Sequence, residues 1–377
     1  MSDAAARTPP ALPIRFAMIG TGGVSRLHLP AFAGSPDLSR LVAVCDVRED
    51  AARAYAAQLP DPPRVVTDYH QLLQQHQDQS PIDAAVIGLP HHLHLPVARD
   101  FVEAGIPVLV EKPLTCTLDE TRQLRDLAAR HGVAVVAGQM RRFTQDAAWI
   151  QRWVAADPGN FGDLHSFDIQ SWQNIRGWLG RTAASDPWLL DGKRAGGGVV
   201  ISLAVHQLDL LRFLTGANYT EVTARGRFDP PFVNGAESSA VVLLGMDNGA
   251  AGVLHASYTT PRTPYSEAMH LFGAHGTIIQ RAERIGDYHG PFRYATATGR
   301  ETVEWGQMYE NLDLVPAADV ADLTENPFTN QLRHFATALS RGERPQNHVD
   351  ENFNTMACIQ AINDSLRHGR PEPVAIA

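Results

Sequence analysis

The strongest constraint on the fold is the stretch 14–28, Ile-Arg-Phe-Ala-Met-Ile-Gly-Thr-Gly-Gly-Val-Ser-Arg-Leu-His. Ile14 to Ile19 is a short, mostly apolar run, suited to a buried parallel strand. Gly20, Gly22 and Gly23 break it sharply, and Val24 to Gly34 can continue as a helix. Strand, glycine turn and helix leave free backbone N–H groups at a helix start, where a phosphate can sit. A Cβ in the turn would hold a dinucleotide pyrophosphate away. The loop Gly20, Thr21, Gly22, Gly23 and Val24 is therefore the candidate phosphate cradle. The third small residue of the pattern is Ser25, so helix–strand packing has to accommodate a hydroxymethyl group. Taken alone, the pattern also fits an ordinary glycine turn.

A second apolar run, Leu41 to Cys45, ends in Asp46. An acidic residue at the end of the second strand can accept hydrogen bonds from both ribose hydroxyls and repels a 2′-phosphate. Asp46 thus favours NAD over NADP. Arg48 is placed to cap the adenine or to soften that preference. The alternative for Asp46 is an N-cap for a helix starting at Glu49.

With 377 residues, 44% hydrophobic and 19% charged, the chain suits two globular domains. Its net charge of −9 argues against a nucleic-acid or anionic-membrane surface, since no basic run overrides it. No apolar stretch stands out at the roughly 20 residues of a membrane helix. Residues 1–13, with Pro9, Pro10 and Pro13, read as a disordered leader on a cytoplasmic protein. Cys45, Cys116 and Cys358 are scattered and imply neither a disulfide framework nor a metal site.

Strand and helix patterns alternate up to Ala137. Helices are expected at Ala51–Leu59, Tyr69–Gln75, His94–Ala104 and Leu118–His131, with strands at Ala84–Gly88, Val108–Val110 and Val133–Ala137. Alternation demands parallel pairing with right-handed crossovers, so residues 14–141 form a doubly wound α/β domain. Its ligands gather at the carboxyl ends of the strands. Residues 142–377 form a second domain for substrate binding and oligomerisation. Its strands are expected at Gly162–Trp172, Glu221–Phe228, Ser238–Met246, Ala251–Thr259 and Glu267–Phe272, with a hairpin turn at Met246–Gly249. This makes an open, mainly antiparallel sheet. Helices at His206–Leu214, Asn330–Ser340 and Asn352–His368 cover one face. A second subunit on the other face predicts a homodimer or homotetramer.

Three segments can carry chemistry. Pro107 to Val110 leads into Glu111-Lys112-Pro113, which places Lys112 at a strand end. A lysine beside a hydroxyl can steer it, and can help take its proton if burial and the cofactor charge lower its pKa. A solvated surface lysine is the bland alternative, and Pro113 would fix the turn. Gly196-Gly197-Gly198 precedes a helix carrying His206, with Asp209 a turn later. Histidine exchanges protons near neutral pH, whereas the plain alternative is a packed ring bonded to Asp209. In Pro90-His91-His92-Leu93-His94 the spacing hints at zinc, but no cysteine or carboxylate completes a tetrahedral set. Pro90 and His91 are instead expected to border the cofactor.

The segments IGTGGVSRLH, CDV, GLPHHLH, VEKPL, GQMRRF and GGGVVISLAVHQLDLL, in this order, resemble the Gfo/Idh/MocA family of nicotinamide oxidoreductases from Ile14 to about Val374. The resemblance implies a Rossmann NAD(P)-binding domain and a C-terminal domain whose open sheet is often a dimerisation surface. It implies sugars, inositols and related polyols as substrates. Lys112 becomes the catalytic lysine, His206 the proton-exchanging histidine, and Glu111 and Pro113 neighbours of the nicotinamide. Arg141 and Arg142 fall near the cleft where the domains join, with Arg141 among the cofactor contacts. Polyol dehydrogenases of the family often carry aspartate four residues before the histidine. That position is Ser202, and Ala204 replaces a glycine. Asp209, Asp191 or Asp186 is left to compensate.

The expectation is an NAD-dependent dehydrogenase acting on a secondary alcohol. Hydride passes to the nicotinamide, the hydroxyl proton leaves through His206, and Lys112 holds the oxygen. Lys112, Ser202, His206, Asp209 and Trp172 are the expected substrate contacts. Trp178, Trp188, Arg176 and Arg181 suit either a sugar ring or a lid. One rival is elimination or glycoside hydrolysis through transient oxidation by resident NAD. The other is a nucleotide-binding sensor that has lost catalysis.

Overall fold

The computed structural model describes residues 9–78, 82–175, 187–261, 265–282, 292–296, 312–316 and 323–376. Two compact units emerge: Met1–Met140 with Phe328–Phe353, and Arg141–Pro327 with Asn354–Ala377.

The first unit is built on strands β1 (Ile14–Ile19), β2 (Ser39–Cys45), β3 (Arg64–Val66), β4 (Ala84–Ile87), β5 (Val108–Glu111) and β6 (Val135–Gly138). They pair in the order β3-β2-β1-β4-β5-β6, and every pairing is parallel. This is the doubly wound order whose ligand crevice opens where β1 and β4 diverge. Helices α1 (Ser25–Ala33), α2 (Glu49–Ala56), α3 (His70–Asp78), α4 (His94–Glu103) and α5 (Leu118–His131) connect the strands. Helix α5 has the bounds expected from sequence because both ends are signalled locally. Thr117 and Glu120 form a capping box, and Gly132 ends the helix in the left-handed region. Strand β3 was not expected; three residues are too few to show a period.

Grouping Phe328–Phe353 with the N-terminal residues corrects two expectations. The second unit does not hold all of 142–377, and the helix expected at Asn330–Ser340 is grouped with the first unit. That helix runs Pro327–Arg341, and Phe335 puts its ring 6.1 Å from Phe16 of β1. Asn347 then pairs with the edge strand, its carbonyl accepting from the Ala137 N–H at 3.0 Å and its amide donating to the Ala137 carbonyl at 2.6 Å. The edge of β6 is thereby covered by chain from far downstream, which no local pattern announces.

The second unit carries β7 (Leu164–Gln173), β8 (Tyr219–Arg227), β9 (Ser239–Met246), β10 (Ala251–Ser257), β11 (Tyr265–Gly273), β12 (Gly276–Ala282), β13 (Phe292–Thr296), β14 (Asp313–Leu314) and β15 (Glu372–Pro373). Their order is β14-β13-β12-β11-β7-β10-β9-β8-β15, antiparallel except for the parallel pair β7–β10. The β9–β10 hairpin turns as expected, with Gly249 at φ 85°. Strands β12 to β15 and the helix Gln145–Ala156 are additions to the sequence reading.

Alternation along these strands separates two faces. On β9, Ala240, Val242 and Leu244 are buried, while Val241 and Leu243 are 53% and 54% exposed. Val253 and Phe272 extend this apolar outer surface, at 43% and 38% exposed. Against the inner face lies a π-helical stretch, Val200–Ala204, continued by the helix Val205–Thr215. By length and composition Gly192–Thr215 could cross a membrane, contrary to the expectation that no stretch is apolar enough. With 83% of its apolar window buried, it serves as a core element.

Candidate active site

In the first unit the glycine turn has the shape a pyrophosphate requires. Gly20 has φ 88°, and a Cβ there would come within 2.4 Å of the Gly88 carbonyl oxygen, so only glycine lets β1 and β4 approach. A Cβ on Gly22 or Gly23 would meet nothing within 4 Å, which leaves the backbone of the turn open to a ligand. Val24 stands at the helix N-cap position with no side-chain cap, so the orphan N–H groups of α1 are not met by a cap side chain. The hydroxymethyl of Ser25 is accommodated by Gly88: a Cβ there would lie 2.6 Å from the Ser25 hydroxyl oxygen. That compensation, 63 residues downstream in the chain, is invisible to the motif.

Asp46 does not cap α2. Its Oδ2 accepts the backbone N–H and the hydroxyl of Thr21, at 2.8 and 2.6 Å, and its Oδ1 accepts the Arg48 N–H at 2.9 Å. The carboxylate is therefore pinned to the glycine turn, with lone pairs left for hydroxyl donors. Arg48 is exposed in the N-cap position of α2, in extended geometry.

Lys112 follows β5, and the Lys112–Pro113 peptide bond is cis. Glu111 before it is buried and accepts a hydrogen bond from His28 Nε2 at 2.8 Å and one from the Lys112 N–H at 3.2 Å. Gly138 makes room for it: a Cβ there would meet the Glu111 carboxyl carbon at 3.2 Å. Pro90 precedes the turn holding His91, whose ring is buried 5.6 Å from that of His94. His94 points Nδ1 at the Pro113 carbonyl, 2.8 Å away, and Nε2 at the Leu89 carbonyl, 2.9 Å away. Both nitrogens face backbone oxygens. Burial pulls its pKa below the ordinary range although the two carbonyls favour its proton.

In the second unit Ser202 lies buried within the π-helical stretch, and half-buried His206 is the second residue of the helix that follows. Single π turns within helices recur at functional sites. Asp209 has buried partners of its own. Its carboxylate is gripped from two sides by the buried Arg142 guanidinium, at 2.6 and 2.7 Å, and accepts the Thr355 hydroxyl at 3.2 Å. Asp191 caps the short helix Gly192–Ala195 through the Lys193 N–H and also accepts from Asn234. Asp186, Arg176, Trp178 and Arg181 lie outside the described residues; Trp188 sits in a short 3-10 turn, Trp188–Leu190.

The acid organising this region is Glu237, which lies outside every motif in the sequence. One oxygen accepts the Gly198 N–H at 2.7 Å and the other the Val200 N–H at 2.8 Å, while its backbone carbonyl accepts the Val199 N–H at 3.1 Å. Three successive N–H groups at the helix start thus converge on one residue. Burial raises this carboxyl to about 7, against the opposing pull of those N–H groups. The phenol of Tyr258 lies against Ser202, and burial lifts it above its ordinary range. No sequence signal beyond a lone buried acid pointed to Glu237.

Arg141 and Trp172 both have partners within the second unit. The Arg141 guanidinium pairs with buried Glu267 and donates to the Tyr265 hydroxyl at 2.7 Å, so its charge is already neutralised within the second unit. Trp172 stands edge-on to His255, 5.3 Å away, on the outer face of the sheet. The strand period sets Ser171 and Gln173 inward and Trp172 outward, on the face opposite Ser202.

Residues 14–139 match the family described as "Oxidoreductase family, NAD-binding Rossmann fold", and residues 150–279 match the GFO/IDH/MocA C-terminal domain. The chain belongs to the Gfo/Idh/MocA oxidoreductase family. The scyllo-inositol 2-dehydrogenase (NAD(+)) of Bacillus subtilis (strain 168) is 27% identical over 368 residues, 95% of this chain and 95% of that protein. Inositol 2-dehydrogenase 1 of Saccharopolyspora erythraea is 35% identical over 214 residues, 56% of this chain and 57% of its own. In fold, an oxidoreductase domain protein from Kribbella flavida matches with a TM-score of 0.83 at 22% identity, over 97% of this chain and 100% of the other. As a Gfo/Idh/MocA member the protein is an NAD-dependent oxidoreductase, and the glycine turn belongs to its NAD-binding Rossmann domain.

Of the 32 basic residues in this Gfo/Idh/MocA chain, only Lys112 and Lys193 are lysines. Arginine serves almost everywhere else, yet it cannot release its proton near neutral pH and lysine can. A lysine kept beside Glu111 in so arginine-rich a chain is a sequence signal that the motif reading overlooked.

Proposed function

We propose that the protein is an NAD-dependent dehydrogenase acting on a secondary alcohol of a sugar, inositol or related polyol. The observation that carries this reading is the bracketed turn around Lys112 at the carboxyl end of β5, in a chain almost without lysine. The inositol dehydrogenases among its relatives supply the substrate class. Bound NAD supplies the hydride acceptor. Gly20 to Val24 present backbone N–H groups to the pyrophosphate, Asp46 accepts the ribose hydroxyls, and Pro90 and His91 border the cofactor. Lys112 holds the substrate oxygen and stabilises its developing charge, while His206 receives the hydroxyl proton. Ser202 hydrogen-bonds a substrate hydroxyl where polyol dehydrogenases carry a charge.

The outer apolar surface of the second sheet, around Val241, Leu243 and Val253, supports a homodimer or homotetramer formed there. Three buried free thiols accord with a reducing cytoplasm. The test is NADH formation across a panel of inositols, aldoses and sugar acids. Turnover with one class supports the reading; tight NAD binding with no turnover on any of them refutes it. Product without net NADH would move the assignment to transient oxidation.

A further inference from the structure

The residues before and after Lys112 in the chain, Glu111 and Pro113, each meet a buried histidine. His28, on the helix after the glycine turn, donates from Nε2 to the Glu111 carboxylate at 2.8 Å, and that carboxylate also accepts the Lys112 N–H at 3.2 Å. His94, on the helix after β4, reaches the Pro113 carbonyl through Nδ1 at 2.8 Å and the Leu89 carbonyl through Nε2 at 2.9 Å. Both rings are almost wholly buried, and Phe328 closes over His28 edge-to-face at 4.9 Å. Strand pairing ends at Glu111, which pairs with Gly138, so the ladder does not hold the lysine itself.

We infer that His28 and His94 are positioning residues that fix Lys112 by anchoring the residue before it and the residue after it. The two anchors differ in kind. His28 acts on a side chain and ties the lysine to the helix that begins at the phosphate cradle. His94 acts on a backbone carbonyl: its neutral ring carries one N–H, and with that proton on Nδ1 it donates to Pro113 while Nε2 faces the Leu89 carbonyl. The lysine turn is thereby held from both sides, one anchor on the helix that follows the phosphate cradle and the other on the helix that follows β4, and a hydride-transfer site requires such geometry to a fraction of an ångström. The inference rests on the dehydrogenase reading for its catalytic consequence, while the anchoring of Lys112 can be read without it.

The ring nitrogens that make the contacts supply the test, because glutamine places an N–H where Nε2 stood and asparagine where Nδ1 stood. His28→Gln and His94→Asn keep the bond to Glu111 or Pro113; His28→Asn and His94→Gln lose it. The expected result is a loss of about tenfold to a hundredfold in kcat for the second pair. The first pair stays within about threefold of the parent, a change of less than 1 kcal/mol. NAD affinity, followed by titration, is retained in all four and certifies the fold. Equal losses within each pair, or losses confined to NAD binding, overturn the inference.

A second readout needs no substrate. With Lys193→Arg in every protein, reductive ¹³C-methylation labels Lys112 and the α-amino group alone. The Lys112 methyl resonance and its titration should move in His28→Asn and His94→Gln and stay at the parent position in the other two. An unmoved Lys112 signal in all four overturns the anchoring itself. A moved signal without turnover on any polyol leaves the anchoring intact and refutes the dehydrogenase reading.

Discussion

The turn around Lys112 and the helix start before His206 solve the same problem with opposite chemistry. Each presents a side chain to which the proposed function gives a part in proton exchange. The lysine turn is held by two imidazoles, His28 and His94, which donate to oxygens. The helix start is held by Glu237, whose carboxylate accepts from the Gly198 and Val200 N–H groups and whose backbone carbonyl accepts from Val199. The difference teaches where pH acts. Burial keeps His94 below its ordinary range, whereas it brings Glu237 to about 7, inside the working range of a proton-transfer enzyme. The first region should keep its geometry across neutral pH and the second should feel it.

The largest expected effect tests the first region. Lys112→Met should lower kcat/KM by about 10²- to 10⁴-fold with NAD affinity kept, and Lys112→Arg should not restore it, because arginine cannot give up its proton. Steady-state kinetics beside NAD titration decides this; full activity in Lys112→Arg would break the comparison at its root.

The next effect belongs to the second region. Asp209→Ala leaves the Arg142 guanidinium buried without its carboxylate, which should cost about 3–5 kcal/mol in urea unfolding. A loss of turnover with unchanged stability would instead return Asp209 to the chemistry.

Glu237→Gln is smaller and sharper. It removes one acceptor from the N–H groups of Gly198 and Val200, for a loss of about 1–3 kcal/mol. The sign of the pH effect follows from the raised carboxyl. Between the ordinary 4.5 and about 7, the folded chain holds a proton that the unfolded chain has released. The contribution of this group to stability is therefore greatest below 4.5 and declines as pH rises to about 7, by at most about 1.4 kcal/mol per pH unit. That decline should vanish in Glu237→Gln when unfolding free energies are compared across this window. A parallel pair of curves would show that Glu237 stays ionised throughout.

The smallest effect concerns Trp172, which faces away from Ser202. Trp172→Ala should change the substrate KM by less than about fivefold, equivalent to under 1 kcal/mol. A larger rise in KM would mean that the outer face of the sheet takes part in substrate binding.

Much of this molecule was legible before any coordinates. The glycine turn, Asp46, Lys112 and the glycine–histidine segment were found from local pattern, since strand and helix periods and turn residues are properties of a few neighbouring positions. Helix Leu118–His131 was bounded to the residue because its capping box and C-cap glycine are written locally. The short strands β3, β14 and β15 were not, because two or three residues carry no period.

By itself, the sequence determined the order of elements, the parallel character of the first sheet, the alternating faces of the second and which residue types could do chemistry. Only the tertiary structure decided what each ionisable group touches. Glu111 meets His28 across 83 residues, and Asp209 is taken by Arg142 across 67. The helix Pro327–Arg341 sets Phe335 against Phe16 of β1, more than 300 positions away in the chain. The reason is physical: a buried charge or polar atom must find its partner wherever the packed chain brings one, and that choice is made by burial, not by spacing.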